Sequence, residues 1–283
     1  MKKLCILIFS FLLAVNVFAE PQSAANTLSA TLNNEAIAAL DDANDDEAVL
    51  LSKNEKIIPK KIHEEDPTLN YVLDVTYPQI TGMDLSKSSM TFNERIRLMV
   101  ENDIKSFKDS VKRDQIHKQT LPKEVQHYTL KIDYDIDVIH PLSMVSVRFA
   151  TESMLAGHAH PYHGHRVLNF DLMNNKEIAL NDLFKPKAKF LEVFAQYANQ
   201  KLQQTVGEKD KWMIAEGTKP IAKNFKNWNI EDDAILITFD EYQVAPYVYG
   251  PQEVTIPFSE LKGLLSKQAE MIASSKEIDP TLG

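Results

Sequence analysis

Tyr128-Thr129-Leu130-Lys131-Ile132-Asp133-Tyr134-Asp135-Ile136-Asp137-Val138 alternates apolar and polar residues without a break. Successive side chains of a strand point to opposite faces. Tyr128, Leu130, Ile132, Tyr134, Ile136 and Val138 therefore share one face, and Thr129, Lys131, Asp133, Asp135 and Asp137 the other. One apolar face and one wet face describe a strand of an antiparallel sheet.

The neighbouring segments extend that sheet in both directions. His140-Pro141-Leu142-Ser143 makes a turn, and Met144 to Glu152 returns as the partner strand. Val167 to Met173, an Asn174-Asn175 turn and Lys176 to Leu180 form a second hairpin. Upstream, Tyr71 to Ile80 is rich in β-branched and aromatic residues and reads as a strand. A polar turn follows, and Thr91-Phe92-Asn93-Glu94 has the pattern of a capping box. It opens a helix in which Phe92, Ile96, Met99, Val100, Ile104, Phe107 and Val111 recur at helical spacing. Phe190, Leu191, Phe194, Ala195, Ala198 and Leu202 mark a second helix. Residues 207–230 read as short helical pieces around Trp212 and Trp228. Ala234 to Phe239 and Glu253 to Ile256 are strands, and Phe258 to about Ser274 a closing helix. With no regular alternation of strand and helix, the fold class is α+β: a mainly antiparallel sheet packed with two or three long helices.

The N-terminus reads as an export signal. Met1-Lys2-Lys3 is followed by an apolar run, Leu4 to Phe18, and by the small-residue pattern Val17-Phe18-Ala19. The run falls short of the roughly 20 residues of a transmembrane helix. Cys5, the single cysteine of the 283 residues, lies inside it. Cleavage near Ala19 leaves an exported protein, periplasmic or secreted, without thiol, disulfide or Cys-zinc chemistry. Loss of Lys2 and Lys3 takes the formal charge from −9 to −11. That balance repels nucleic acid and anionic lipid, and it favours basic partners. Residues 20–68 hold eleven acids and four lysines and read as an acidic flexible linker. The expected organisation is thus a signal at 1–19, a linker at 20–68, subdomains at 69–150 and 151–275, and a tail at 276–283.

Two constellations could carry chemistry. Gly157-His158-Ala159-His160-Pro161-Tyr162-His163-Gly164-His165 holds half of the 8 histidines, in a segment that Pro161 and Gly164 make a loop entering the Val167 strand. Imidazoles two apart in extended chain face the same way and suit zinc, copper or nickel. His158, His160, His163 and His165 are the candidate metal ligands, zinc the candidate cofactor. The plainer account is a polar loop whose histidines bond to backbone groups, with no cofactor. The second constellation is Asp240-Glu241-Tyr242-Gln243-Val244-Ala245-Pro246-Tyr247-Val248-Tyr249-Gly250. Tyrosines on such a loop can stack on sugars or anchor a protein. Their plainer role is to plug the end of the sheet. Tyr242, Tyr247, Tyr249 and His160 are the candidate ligand-binding residues. Glu152, Asp171, Asp240 and Glu241 could supply paired carboxylates, but nothing in their spacing brings them within reach of one another. Thr238-Phe239-Asp240-Glu241 departs from the deacetylase metal motif T-F-D-D-G-P at its last three positions, and no histidine follows it. There is no G-x-S-x-G, no phosphate-binding glycine loop and no H-E-x-x-H, so no catalytic residue is assigned.

These motifs resemble a known family. Gly157-His158-Ala159-His160-Pro161, Leu168-Asn169-Phe170-Asp171-Leu172 and Lys176 through Asn181-Asp182-Leu183-Phe184 are similar to the G-G-A-H-P and "NFDL…DLF" segments of an extracellular domain of unknown function. Tyr242-Gln243-Val244-Ala245-Pro246-Tyr247, Gly250 and Ile256-Pro257-Phe258-Ser259-Glu260-Leu261 resemble its "Y-x-V-A-P-Y-x-x-G…I-P-Y-x-x-L" signature. Tyr77-Pro78-Gln79-Ile80 and the following helix resemble a companion domain that often precedes it. The family includes the extracellular part of an RsiV-type anti-sigma factor, which senses lysozyme by binding it, and the non-catalytic N-terminal part of a PdaC-type peptidoglycan deacetylase. The resemblance implies an α+β fold and no catalysis by this domain. His160 matches the family histidine, His158 stands where a glycine is usual, and His163 and His165 are extra. The chain is expected to be this extracellular module on a cleavable signal, without membrane helix, sigma-binding segment or deacetylase domain. The implied function is an exported, non-enzymatic cell-envelope binding protein whose ligand is a lysozyme-like hydrolase or a peptidoglycan fragment. The alternative is a periplasmic metal-binding protein or metal-dependent envelope hydrolase using the histidines.

Overall fold

A computed structural model describes residues 48–117, 127–140, 142–207 and 210–275. The export signal, the acidic run at 41–47 and the tail at 276–283 lie outside them. The long alternating segment is a strand over Tyr128–Ile139, and its even and odd positions keep the expected apolar and polar faces. It sits in the middle of a seven-stranded sheet: β1 (Val49–Leu50), β2 (Glu55–Asp66), β3 (Tyr71–Gly82), β4 (Tyr128–Ile139), β5 (Met144–Met154), β6 (Tyr162–Asp171) and β7 (Lys176–Glu177), side by side in chain order. All neighbours are antiparallel except β3 and β4. That parallel pair needs a crossover, and α1 (Lys87–His117) supplies it. A second sheet of three antiparallel strands contains β8 (Trp228–Ile230), β9 (Ala234–Phe239) and β10 (Gln252–Pro257), with β9 in the centre. Helices α2 (Phe190–Thr205), α3 (Lys211–Gly217) and α4 (Lys267–Ser275) complete the α+β fold.

Sheet begins earlier than the composition suggests. Residues 20–68 were expected as linker, yet β2 pairs along its whole length with β3, from Glu55 opposite Gly82 to Asp66 opposite Tyr71. Ile57 enters the core, while Lys61, His63 and Glu65 are exposed. Strands near a sheet edge carry charge and proline, here Lys56, Pro59, Lys60 and Lys61, and so imitate linker composition. The expected division at 150/151 falls inside β5. Helix α1 starts one turn before the expected box. The Ser86 hydroxyl accepts from the Ser89 amide at 3.0 Å, and Thr91 lies within the helix, its hydroxyl donating to the Lys87 carbonyl at 2.9 Å. Trp228 stands in a strand rather than a helical piece, and the closing helix is a short turn at Phe258–Leu261 followed by α4.

Two apolar clusters result. One lies between α1 and the apolar face of the large sheet, with Leu73, Ile80, Phe92, Ile96, Leu130 and Phe170 among its members. The other joins α2 and α4 to the small sheet. Its spine is a run of phenylalanines. Phe184 stacks on Phe190 at 3.9 Å, and edge-on contacts lead through Phe194 and Phe225 to Phe239.

The opposite face of the large sheet, at β5 and β6, is polar and is nonetheless covered by the small sheet. Buried Ser146 of β5 donates to the Asn169 side chain of β6 at 2.7 Å. Ser146 in turn accepts from Asn229 of β8 at 2.9 Å and from the Ile230 amide at 3.0 Å. Asn169 donates to the Trp228 carbonyl at 2.9 Å. A few ångströms along the same face, the Arg148 guanidinium reaches Asp135 of β4 at 2.7 Å, the Thr238 hydroxyl of β9 at 3.0 Å, and Glu253 of β10. Hydrogen bonds therefore join the two sheets where an apolar layer would be usual.

Buried polar groups lose more when a partner is removed than a bond contributes when it is made. Ser146→Ala leaves the Asn229 side-chain amide without its acceptor and the Ile230 N–H with only the longer bond to Asn169 Oδ1 at 3.3 Å. It is expected to destabilise the fold by about 1–3 kcal/mol, read as a lower denaturant midpoint with an unchanged slope.

Candidate functional site

Glu152 of β5 stands opposite His163 of β6 in the antiparallel register. His163, His165 and Asn169 alternate along one face of β6, the face turned to the small sheet. At the far end of that face arrives the loop that leaves β9 at Phe239. It brings Asp240 and Glu241 against the two histidines. His163 Nδ1 lies 2.5 Å from Glu241 Oε1, and His163 Nε2 lies 3.3 Å from Glu152 Oε2. His165 Nδ1 is 3.1 Å from Asp240 Oδ1. With an ionised carboxylate as partner, each contact is a hydrogen bond only from a ring nitrogen that carries a proton. Glu241 is the enclosed partner, its side chain only 5% exposed, against 49% for Glu152.

Asp240 is the junction of the loop. Besides His165 it receives the Asn227 amide at 3.1 Å and the Lys226 ammonium at 3.0 Å. Burial, the largest single influence, pushes its carboxyl up. The hydrogen bonds from His165, Lys226 and Asn227 together outweigh burial and hold it below the ordinary aspartate value.

The rest of the loop divides between core and surface. Val244 and Ala245 are buried and plug the end of the small sheet. Gln243 anchors the loop base, its side-chain amide donating to the Asn224 carbonyl at 2.8 Å and the Gly217 carbonyl at 3.2 Å. Gly217 is required there, because a Cβ would stand 2.1 Å from the Gln243 carbonyl oxygen. Tyr242, in a left-handed backbone conformation, points outward at 56% exposure, with Val248 at 84% and Tyr249 at 46%. Tyr162, at the start of β6, is 61% exposed. Tyr247 lies between the layers. The His160 ring stacks on it at 3.8 Å, and Tyr242 lies 5.9 Å away. Desolvation first, then the Glu241 carboxylate, raises the Tyr247 hydroxyl above the ordinary tyrosine value.

The four histidines are thus not one set. Strand β6 begins at Tyr162, five residues before the expected start, so His163 and His165 lie on the strand. There they bond to carboxylates. His160 belongs to the tyrosines, and His158 is exposed on the preceding loop. Among the described residues no three His, Cys, Asp or Glu side chains are placed to hold a metal ion. The tyrosines do not plug the sheet, since Val244 and Ala245 do. Of the four candidate carboxylates, Glu152, Asp240 and Glu241 gather here, while Asp171 accepts from Asn174 and Gln268 at the other end of β6. Tyr162 and Val248 carry no signal in the sequence beyond their position beside Pro161 and Tyr247.

Residues 181–259 match a family model described as a protein of unknown function, DUF3298. This segment is similar to the DUF3298 domain. The chain is also similar to the peptidoglycan-N-acetylmuramic acid deacetylase PdaC of Bacillus subtilis (strain 168), 26% identical over 204 residues, which is 69% of this chain and 44% of that protein. It is 26% identical over 199 residues to the anti-sigma-V factor RsiV of the same organism, covering 68% of this chain and 65% of RsiV. The chain spans less than two thirds of the length of either relative. A DUF3298 family member from Bacteroides fragilis NCTC 9343 shares the fold, with a TM-score of 0.59 at 16% identity over 80% of this chain and all of that one. So does a DUF3298 protein from Pseudomonas aeruginosa PAO1, at 0.57 and 14% over 78% of this chain and 98% of that one. The resemblance read from the loop and hairpin motifs holds. The matched segment contributes the tyrosine loop, while Glu152 and the histidines precede it in the chain.

Because folding lowers the Asp240 carboxyl, its ionised form stabilises the fold above the unfolded value near 3.8, and that contribution drains away as pH falls through the folded value. Asp240→Asn is therefore expected to be less stable than the wild type above about pH 5, with the gap closing on acidification. Thermal melts across that range check it.

Proposed function

We propose that this is an exported, non-enzymatic binding protein of the cell envelope that captures a lysozyme-like hydrolase on the tyrosine loop. A peptidoglycan fragment is the other ligand the same loop could take. The carrying observation is the exposed Tyr242, Val248 and Tyr249 on the loop that also carries Glu241. Exposed aromatic side chains on a braced loop are the usual centre of a protein interface. They offer large contact area and lose little rotamer freedom on binding.

Further points support the reading. The formal charge of −9 attracts a basic partner at long range and raises the encounter rate. One relative is named as a peptidoglycan deacetylase, which acts on an envelope polymer, and another as an anti-sigma factor. RsiV-type domains, which the sequence motifs resemble, bind lysozyme. Among the described residues no helix is long and apolar enough to cross a bilayer.

A hen-type lysozyme titrated onto the purified protein at low ionic strength is expected to bind, and to bind more weakly as salt rises. A Tyr242→Ala, Tyr249→Ala double variant is expected to lose about tenfold or more in affinity, mostly through faster dissociation. Both residues are exposed, so its melting temperature should be unchanged. No association at low salt, or undiminished affinity in the double variant, overturns the assignment.

A further inference from the structure

Helices α2 and α3 leave between them an open groove of about 690 Å³ that shares no residue with the tyrosine loop. Its floor stays open because Ala195 and Ala215 carry only methyl groups. Its walls are carboxamides: Gln196, Asn199, Gln200, Gln203 and Gln204 follow one another at helical spacing along α2. The single charged residue in the lining, Lys219, is paired with Glu216 at 2.5 Å.

Part of this array is already ordered. The Gln203 amide donates to Asn199 Oδ1 at 2.5 Å, the Asn199 amide donates to the Thr218 hydroxyl at 3.2 Å, and buried Thr218 donates to the Ile214 carbonyl at 2.7 Å. Such a chain fixes the amide orientations and polarises its members. The side-chain carboxamides of Gln196, Gln200 and Gln204, all in the lining, make no hydrogen bond among the described residues. Trp212 stands one helical turn before Ala215 on the same side of α3 and is 68% exposed.

Carboxamides give donor and acceptor together with no charge. They do not select phosphate or carboxylate, which call for arginine, lysine or helix N-termini. They suit a ligand that is neutral and dense in hydroxyl or acetamido groups. The exposed indole of Trp212, outside the lining but one helical turn from its Ala215, offers the flat apolar surface on which a pyranose ring stacks. We propose that this groove is a binding site for a neutral saccharide chain, with Trp212 stacking on one ring and the α2 amides hydrogen-bonding its neighbours. It is separate from the protein-binding surface and does not depend on that assignment.

The protein has two tryptophans, and Trp228 is 5% exposed, so ligand-induced fluorescence change reports on Trp212. The probes are a β-1,4-linked N-acetylglucosamine tetramer, a β-1,4-linked glucose tetramer and a neutral tetrapeptide, titrated into the full chain. A saturable change with either saccharide, at dissociation constants of about 1 mM or tighter, is expected. Gln200→Ala with Gln203→Ala should weaken it about tenfold, and Trp212→Ala should weaken it similarly by calorimetry. The Tyr242→Ala, Tyr249→Ala variant should bind saccharide as the wild type does, even if lysozyme binding fails. Binding of the peptide alone, no saturable response to either saccharide, or saccharide binding insensitive to both groove variants each overturns the proposal.

Discussion

The hydroxyl of Ser146 holds the two sheets together. It gives one hydrogen bond and takes two, linking β5 and β6 to β8 through Asn169, Asn229 and the Ile230 amide. Buried polar contacts of this kind add little net stability when complete and cost much when broken. They do, however, fix register, because the strand period is two and a slip of one residue turns every side chain to the wrong face. The same strand face that presents Asn169 presents His165 and His163 further along. A register that satisfies Asn169 therefore also delivers the two histidines to Asp240 and Glu241. The site is the far end of the lock.

How legible this was depends on which physical signal each element carried. The strand at Tyr128–Ile139 and the helical repeat from Phe92 to Val111 were plain, because burial on one face forces a period on the sequence. Strand β2 was hidden, since its lysines, glutamates and Pro59 suit an outer strand as well as a linker. The polar face of the large sheet was legible as polar, but not as covered. Alternation tells which residues avoid an apolar core, not whether a second layer meets them with hydrogen bonds. Ser146, Asn169 and Asn229 look like ordinary surface residues until their partners are known, 23 and 83 positions apart in sequence.

The candidate site was half legible for a related reason. The clustering of histidines and tyrosines was visible, and its two loops do meet, at the His160–Tyr247 stack. Their division of labour was not. A run of four histidines suggests a metal shell, but the pleat sends His163 and His165 to carboxylates and Pro161 leaves His160 and His158 outside the strand. Likewise, Val244-Ala245-Pro246-Tyr247 reads as one motif although its first two residues serve the core and its last serves the site.

What makes the tyrosine loop a candidate for recognition is the way its base is restrained. Asp240 is tied to His165, Lys226 and Asn227, Glu241 to His163, and Gln243 to the backbone at Gly217 and Asn224. Each tie removes freedom that would otherwise be lost on binding, and ordering costs of that kind are what separate weak interfaces from strong ones of equal area. The close approach at Gly217 has a second effect. It sets the end of α3 directly against the loop, so the helix that walls the amide groove also buttresses the base of the loop that carries the tyrosines. A side chain at position 217 would separate them, and both surfaces would lose the support that each takes from the other.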